Sequence, residues 1–163
     1  MPGGAPLTIE CEIAFTLAHD LPAAAPRPPL RELIASTCVT FEIVRSRFVN
    51  RRSVGWPSFV ADNVGFEALV VGDTFPLDQL PEVLRTVEVW ADGTARVRAQ
   101  HGDDLTDPFA SLQSLLDHAA ERGMDLRAGE LVSTGAMCTP FDLPGTGHAV
   151  SARFYGRQLD FTV

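Results

Sequence analysis

Glu10 and Glu12 stand one residue apart in the run LTIECEIAFTLA, residues 7–18. In an extended chain, residues i and i+2 share a face with about 6.5–7 Å between their Cα atoms, so two such carboxylates can converge on one hard cation. A third carboxylate from a neighbouring strand would complete a facial set of oxygens. Mg²⁺ or Mn²⁺ held there would keep open positions for water or a chelating substrate. Glu42, inside TCVTFEIVR (37–45), is an acid in a second strand-like run. On the pattern alone, two glutamates on an alternating strand more often mark a solvated face.

Other residue types narrow the chemistry. All 13 basic residues are arginines, so neither a Schiff base nor a lysine general base can come from this chain. The four histidines, His19, His101, His118 and His148, lack metal-ligand spacing. Cys11, Cys38 and Cys138 are widely spaced with no CxxC, which fits reduced, buried thiols better than a disulfide framework or a zinc site. A net charge of −8 argues against nucleic acid as a partner. No apolar run approaches the roughly 20 residues of a membrane span. The opening MPGGAP has no basic, then apolar, leader pattern, so a cytoplasmic protein is expected.

The elements that must position these residues are mostly strands. Strict alternation over 7–18 predicts the first, and 37–45 the second. Between them, LPAAAPRPP (21–29) is a proline-rich connection, with Pro29 suited to open a short helix over 29–36. Residues 46–57 form an arginine-rich loop, followed by a short turn or helix and a strand near 66–72. In TVEVWADGTARVRA, two alternating runs flank Asp92-Gly93, which predicts a hairpin with a tight type I′ turn. Residues 107–122 predict a helix: Asp107 caps it, Pro108 takes its first position, Leu112, Leu115, Leu116 and Ala119 form its apolar stripe, and Gly123 stops it. Strands follow near 130–134, 148–155 and 157–163. At 163 residues, 45% of them hydrophobic, one globular unit over 7–163 behind a flexible tail of 1–6 is expected. The fold class is α+β and β-rich, with one main helix.

Five stretches, in order, carry a resemblance to a known family. ECEIAFTLAHDLP, FEIVRSRF, FVADN, the hairpin-and-helix segment VEVWADG…AAERG and LRAGELVSTGAM are similar to motifs of the 2-hydroxypenta-2,4-dienoate (2-keto-4-pentenoate) hydratases and 4-oxalocrotonate decarboxylases. These belong to the fumarylacetoacetate hydrolase superfamily, and the likeness covers about 8–163. The resemblance implies a rolled, mixed β-sheet of the C-terminal-domain type and makes Glu10, Glu12 and Glu42 the metal ligands. It places Asp62 and Asn63 near the pocket, Asp62 as a candidate acid/base. It offers the Thr134 hydroxyl and amides around Gly135 to a substrate carboxylate. It matches Arg47 to a family arginine that either pairs with acids in the core or meets an anionic substrate. His148 stands where the family usually reads an acid, and with His19 it is a further acid/base candidate.

The chain also departs from the family. Members carry a segment ahead of the paired glutamates that covers the pocket and supplies a lysine, whereas here the glutamates fall at positions 10 and 12. The resemblance implies metal-dependent hydration, decarboxylation or enolisation of a 2-oxo acid or its dienol. Two alternatives stand beside it. One is a non-catalytic or partner-dependent subunit whose partner chain supplies the missing segment. The other is a homologue repurposed for isomerisation or cyclisation. A homodimer or larger assembly is expected, because a pocket without its covering segment exposes apolar surface.

Overall fold

The computed structural model describes residues 6–163, so the tail expected over 1–6 lies almost wholly outside the described residues. Alternation of large apolar side chains with short or polar ones makes β1 (Leu7–Leu17) and β2 (Ile34–Val44) the two longest strands. They pair antiparallel, with Glu10 opposite Glu42 and Glu12 opposite Thr40. β3 (Phe66–Phe75) pairs with the far side of β2; β6 (Leu131–Ala136) and the short β7 (Phe141–Leu143) pair with β1.

A second sheet is built from the expected hairpin, β4 (Glu88–Ala91) and β5 (Thr94–Arg98), joined to β8 (Ala149–Phe154) and β9 (Arg157–Thr162) in the order β5-β4-β8-β9. Asp92 and Gly93 sit at φ 51° and 74°, the left-handed pair that a type I′ turn requires. The sheets close on one core. Phe41 on β2 meets Phe161 on β9 with ring centroids 5.0 Å apart, and Phe75 on β3 meets Phe154 on β8 at 6.2 Å. Three free cysteines are buried, as their spacing suggested.

α3 (Pro108–Glu121) starts where expected: the Asp107 side chain accepts from the Phe109 and Ala110 amides at 2.9 and 3.2 Å. Its face of Leu112, Leu116 and Ala119 is buried, while Leu115 turns outward at 37% exposure. Phe109 stacks on Phe15 of β1 at 5.5 Å, which docks the helix on the first sheet. Among the described residues no helix is long and apolar enough to cross a membrane.

Several details differ from the sequence reading. The β-rich α+β class stands, but every strand pairing among the described residues is antiparallel rather than mixed. The helix expected over 29–36 is a single 3-10 turn, Leu30–Leu33. From Ile34 onward the chain already pairs with Leu17, so sheet pairing overrides the local signal. A short helix, α2 (Leu80–Thr86), and β7 had no distinct sequence signature. The remaining helix, α1 (Trp56–Ala61), is the short turn expected before β3.

Candidate metal centre

The polar face of β1 is mostly shielded from water, with Glu10 and Thr16 half-buried. Thr8, Glu12 and Ala14 on that face are buried, and Glu12 is 3% exposed. The antiparallel register brings Glu42 beside Glu10, and one carboxylate oxygen from each of Glu10, Glu12 and Glu42 lies within 4.8 Å of the others. The three acids expected as ligands are therefore brought together.

A β-bulge fixes the buried member of the set. Glu12 pairs with Ala136 and Ala14 with Ser133, so Thr134 and Gly135 together oppose one residue of β1. Gly135 takes φ +99°, a conformation that side-chain-bearing residues resist. Its amide leaves the backbone ladder and donates to Glu12 Oε2 at 3.1 Å. The Ser133 hydroxyl donates to the same oxygen, and Thr40 lies 3.2 Å from that hydroxyl. Both donors act on Oε2, which leaves Oε1 free of hydrogen bonds among the described residues.

Electrostatics point the same way. Burial, reinforced by the charges of Glu12 and Glu10, pushes the Glu42 carboxyl up to about 7. Burial and the charge of Glu12 also raise Glu10, opposed by the Arg51 guanidinium. Three acids this close need either protons or a cation between them. An all-oxygen carboxylate set suits a hard divalent ion, and Mg²⁺ and Mn²⁺ fit its chemistry.

A pH dependence follows. Glu42 holds its proton in the folded apo protein between its usual 4.5 and about 7, a range where the unfolded chain has lost it. Apo stability should therefore be greatest below 4.5 with respect to this group and fall as pH rises to about 7. Mn²⁺ affinity should change in the opposite direction, rising with pH and levelling above about 7, because the ligand must ionise. Calorimetric titration in buffers of different ionisation enthalpy should show proton release at pH 6 that vanishes at pH 8. Equal release at both would contradict the assignment.

The other residues singled out from the sequence lie elsewhere or are already engaged. The Thr134 hydroxyl donates to the Ile13 carbonyl at 2.9 Å and is buried in the bulge, while Gly135 serves Glu12. Asp62 accepts from the Ser46 hydroxyl at 2.9 Å and the Arg47 amide at 3.1 Å. Arg47 in turn donates to the carbonyls of Asp62 and Phe66 at 2.7 and 3.0 Å, so these two residues pin the segment between β2 and β3. Asn63 is exposed at φ 53°, which asparagine tolerates in such a turn. His148 bonds Asp92 at 2.7 Å at the hairpin turn on the second sheet, and its hydrogen bond, with that of the Ala149 amide, holds Asp92 below the usual carboxylate range. His19 is exposed beyond the end of β1. None of Asp62, Asn63, Arg47, His148 or His19 hydrogen-bonds a glutamate of the cluster.

Ser133, Thr40 and Arg51 are the additions. Ser133 had one legible signal: it alternates with Thr134 in a strand and so takes the opposite face.

No family model matches the chain. Two curated relatives do, the 2-keto-4-pentenoate hydratases of Burkholderia vietnamiensis and Paraburkholderia phymatum, each 30% identical over 139 residues, 79% of this chain and 50% of the relative. The chain thus spans about half the length of the curated relatives it matches. Among solved structures, 4-oxalocrotonate decarboxylase from Pseudomonas putida G7, complexed with magnesium and adipate, is similar at a TM-score of 0.77 and 25% identity, over 95% of this chain and 59% of that one. Fumarylpyruvate hydrolase from Pseudomonas aeruginosa, in complex with Mn²⁺ and pyruvate, shares the fold at a TM-score of 0.63 and 17% identity, over 98% and 66% of the two chains. Fold and sequence together make the chain a member of the fumarylacetoacetate hydrolase superfamily. Within it, the likeness runs to the branch of the 2-keto-4-pentenoate hydratases and 4-oxalocrotonate decarboxylases.

Proposed function

We propose that the chain performs metal-dependent lyase-type chemistry, namely hydration, decarboxylation or enolisation, on a 2-oxo acid or its dienol at Glu10, Glu12 and Glu42. The observation that carries this reading is the convergence of the three carboxylates within 4.8 Å, with Glu12 buried and Glu10 and Glu42 half-buried. Superfamily neighbours captured with magnesium and adipate, or with Mn²⁺ and pyruvate, support the choice of metal and ligand class. A divalent cation bound there would stabilise negative charge as an enolate develops, the step these reactions share.

The chain's own residues supply the rest. Ser133 and the Gly135 amide fix Glu12, and Glu42 must give up its proton before the set is complete. Ser133 is exposed, so the cluster is approached from its side. Asp62 and His148, the proton-transfer candidates read from the sequence, are engaged by Ser46 and Arg47 and by Asp92 respectively, and we assign the proton transfer to neither. A homodimer or larger assembly remains part of the proposal, supported by the exposure of Val49 at 97% and Trp56 at 69%.

The test is deuterium exchange at C3 of a 2-oxo acid, followed by proton NMR with Mg²⁺ and then with chelator. Exchange should require the metal and be lost in Glu12→Gln. Absence of metal-dependent exchange and of turnover on 2-hydroxypentadienoate would overturn the proposal.

A further inference from the structure

A cavity of about 680 Å³ opens where the turn Leu30–Leu33, α2 and the start of α3 come together. That size falls in the range of small-ligand sites, about 300–1,000 Å³. Leu80, Leu84, Leu105 and Phe109 give it an apolar wall, of which Leu105 remains 40% exposed. No glutamate of the metal cluster is among the described residues that line it. Phe109 stacks on Phe15, whose side chain leaves β1 on the opposite face from Glu10 and Glu12. The cavity and the cluster therefore lie on different sides of the first sheet.

The charged groups of the wall differ in what they already hold. Arg85 is bound to Glu82, and Asp107 is occupied as the cap of α3. Arg31 lies over the Phe109 ring, 4.8 Å from its centroid. Among the described residues its guanidinium has neither a hydrogen bond nor a carboxylate partner. A guanidinium resting on an aromatic ring keeps its N–H fork for a carboxylate, which it can meet with two donors. Asp78 also lines the cavity, but it is exposed, so water and salt screen its repulsion of an anion. An apolar wall with one open cation is the arrangement that takes an amphiphilic anion, its body against the leucines and its charge on the fork.

We propose that this cavity is a second binding site, which takes a monocarboxylate with an apolar aryl or alkyl body. Arg31 receives the carboxylate, and Leu80, Leu84, Leu105 and Phe109 cover the body. Binding there needs no metal and does not depend on the reading of the glutamate cluster. A neutral amide of the same shape gains the apolar contacts but leaves the guanidinium without its partner.

The experiment is binding of 4-phenylbutyrate and octanoate, each beside its neutral amide, to the full chain with chelator present. Calorimetry gives the affinities and backbone amide chemical shifts give the place. For at least one pair the wild type should bind the acid at least about tenfold more tightly than the amide, the order of effect of a charge-assisted contact. The amides of Leu84, Leu105 and Phe109 should shift, and that of Ser133 should not. Arg31→Gln should abolish the preference, while Arg85→Gln should keep it, because Arg85 already serves Glu82. Asp78→Asn should hold or strengthen acid binding, and Leu105→Ala should weaken acid and amide alike. Arg31 and Leu105 are exposed, so both variants should melt close to wild type. No preference for the acid in either pair overturns the inference, as does a preference unchanged in Arg31→Gln. Shifts centred on Ser133 and Glu12 also overturn it, because they assign the acid to the polar face of β1. A self-associated chain whose cavity admits neither ligand does the same.

Discussion

Glu12→Gln should weaken Mn²⁺ binding by about 100-fold or more, the largest functional loss expected in the chain. Changes to groups that only orient a ligand typically cost about 10–100-fold in metal affinity, and Glu12 is proposed as a ligand itself. The substitution keeps the shape of the side chain but removes its charge, and an amide oxygen is a weaker donor to a hard cation. Collapse of the site cannot mimic the effect, because the Ser133 hydroxyl and the Gly135 amide can still donate to the amide oxygen. Apo stability should move the other way. Removing one of three crowded charges lowers the Glu42 carboxyl from about 7 and relieves repulsion, so the melting temperature without metal at pH 8 should rise or hold. Ser133→Ala should cost less metal affinity than Glu12→Gln. Wild-type Mn²⁺ affinity in Glu12→Gln would return β1 to the solvated-face explanation.

Phe15→Ala should destabilise the protein by about 3–5 kcal/mol, the range for deleting a large buried aromatic. Phe15 has no exposed surface and faces away from the glutamates of the same strand. Its ring stacks on Phe109 at 5.5 Å, so the substitution opens a cavity where α3 docks on the first sheet. The helix cannot readily sink into the gap, because Leu112 and Leu116 are fixed in the same core. Set against a usual stability of about 5–15 kcal/mol, this loss would remove a large share of the total. Urea unfolding with unchanged slope and a lowered midpoint is the expected observation; a loss below about 1 kcal/mol would show that Phe15 is not a keystone of this packing.

The sequence was most informative where local chemistry and tertiary packing agree. Alternation over Leu7–Leu17 marked a strand because one of its faces really is the core. The Asp92-Gly93 turn and the Asp107 cap were readable because each depends on a few neighbouring atoms. The turn at Leu30–Leu33 was over-extended because nothing local announces that Ile34 already pairs with Leu17. β7, three residues long, exists only through its pairing with β1.

The carboxylate site shows the same division. Glu10 and Glu12 could be paired from spacing alone, but Glu42 joined them only through resemblance to the family, since register is a long-range property. Thr134 illustrates the cost of reading without register. Its hydroxyl looked available for a substrate, yet the bulge turns it onto Ile13 and presents Ser133 and the Gly135 amide to Glu12 instead. Arg51 was hidden for a different reason: in the arginine-rich run of 45–52 nothing local separates it from arginines that tie down a loop.

The bulge at Thr134–Gly135 bears on how quickly a cation can be captured. Glu12 is aimed by the connectivity of β6, through the Gly135 amide that the bulge turns toward it. For Glu12 as the proposed ligand, the ordering entropy is therefore lost during folding rather than during association, and an incoming ion would meet a carboxylate already held in place. Above about pH 7, where Glu42 has lost its proton, what then limits capture is the ion's own reluctance to shed water, which is greater for Mg²⁺. Association rates should follow the water-exchange rate of the metal, with Mn²⁺ entering faster than Mg²⁺ and neither waiting on a rearrangement of the chain.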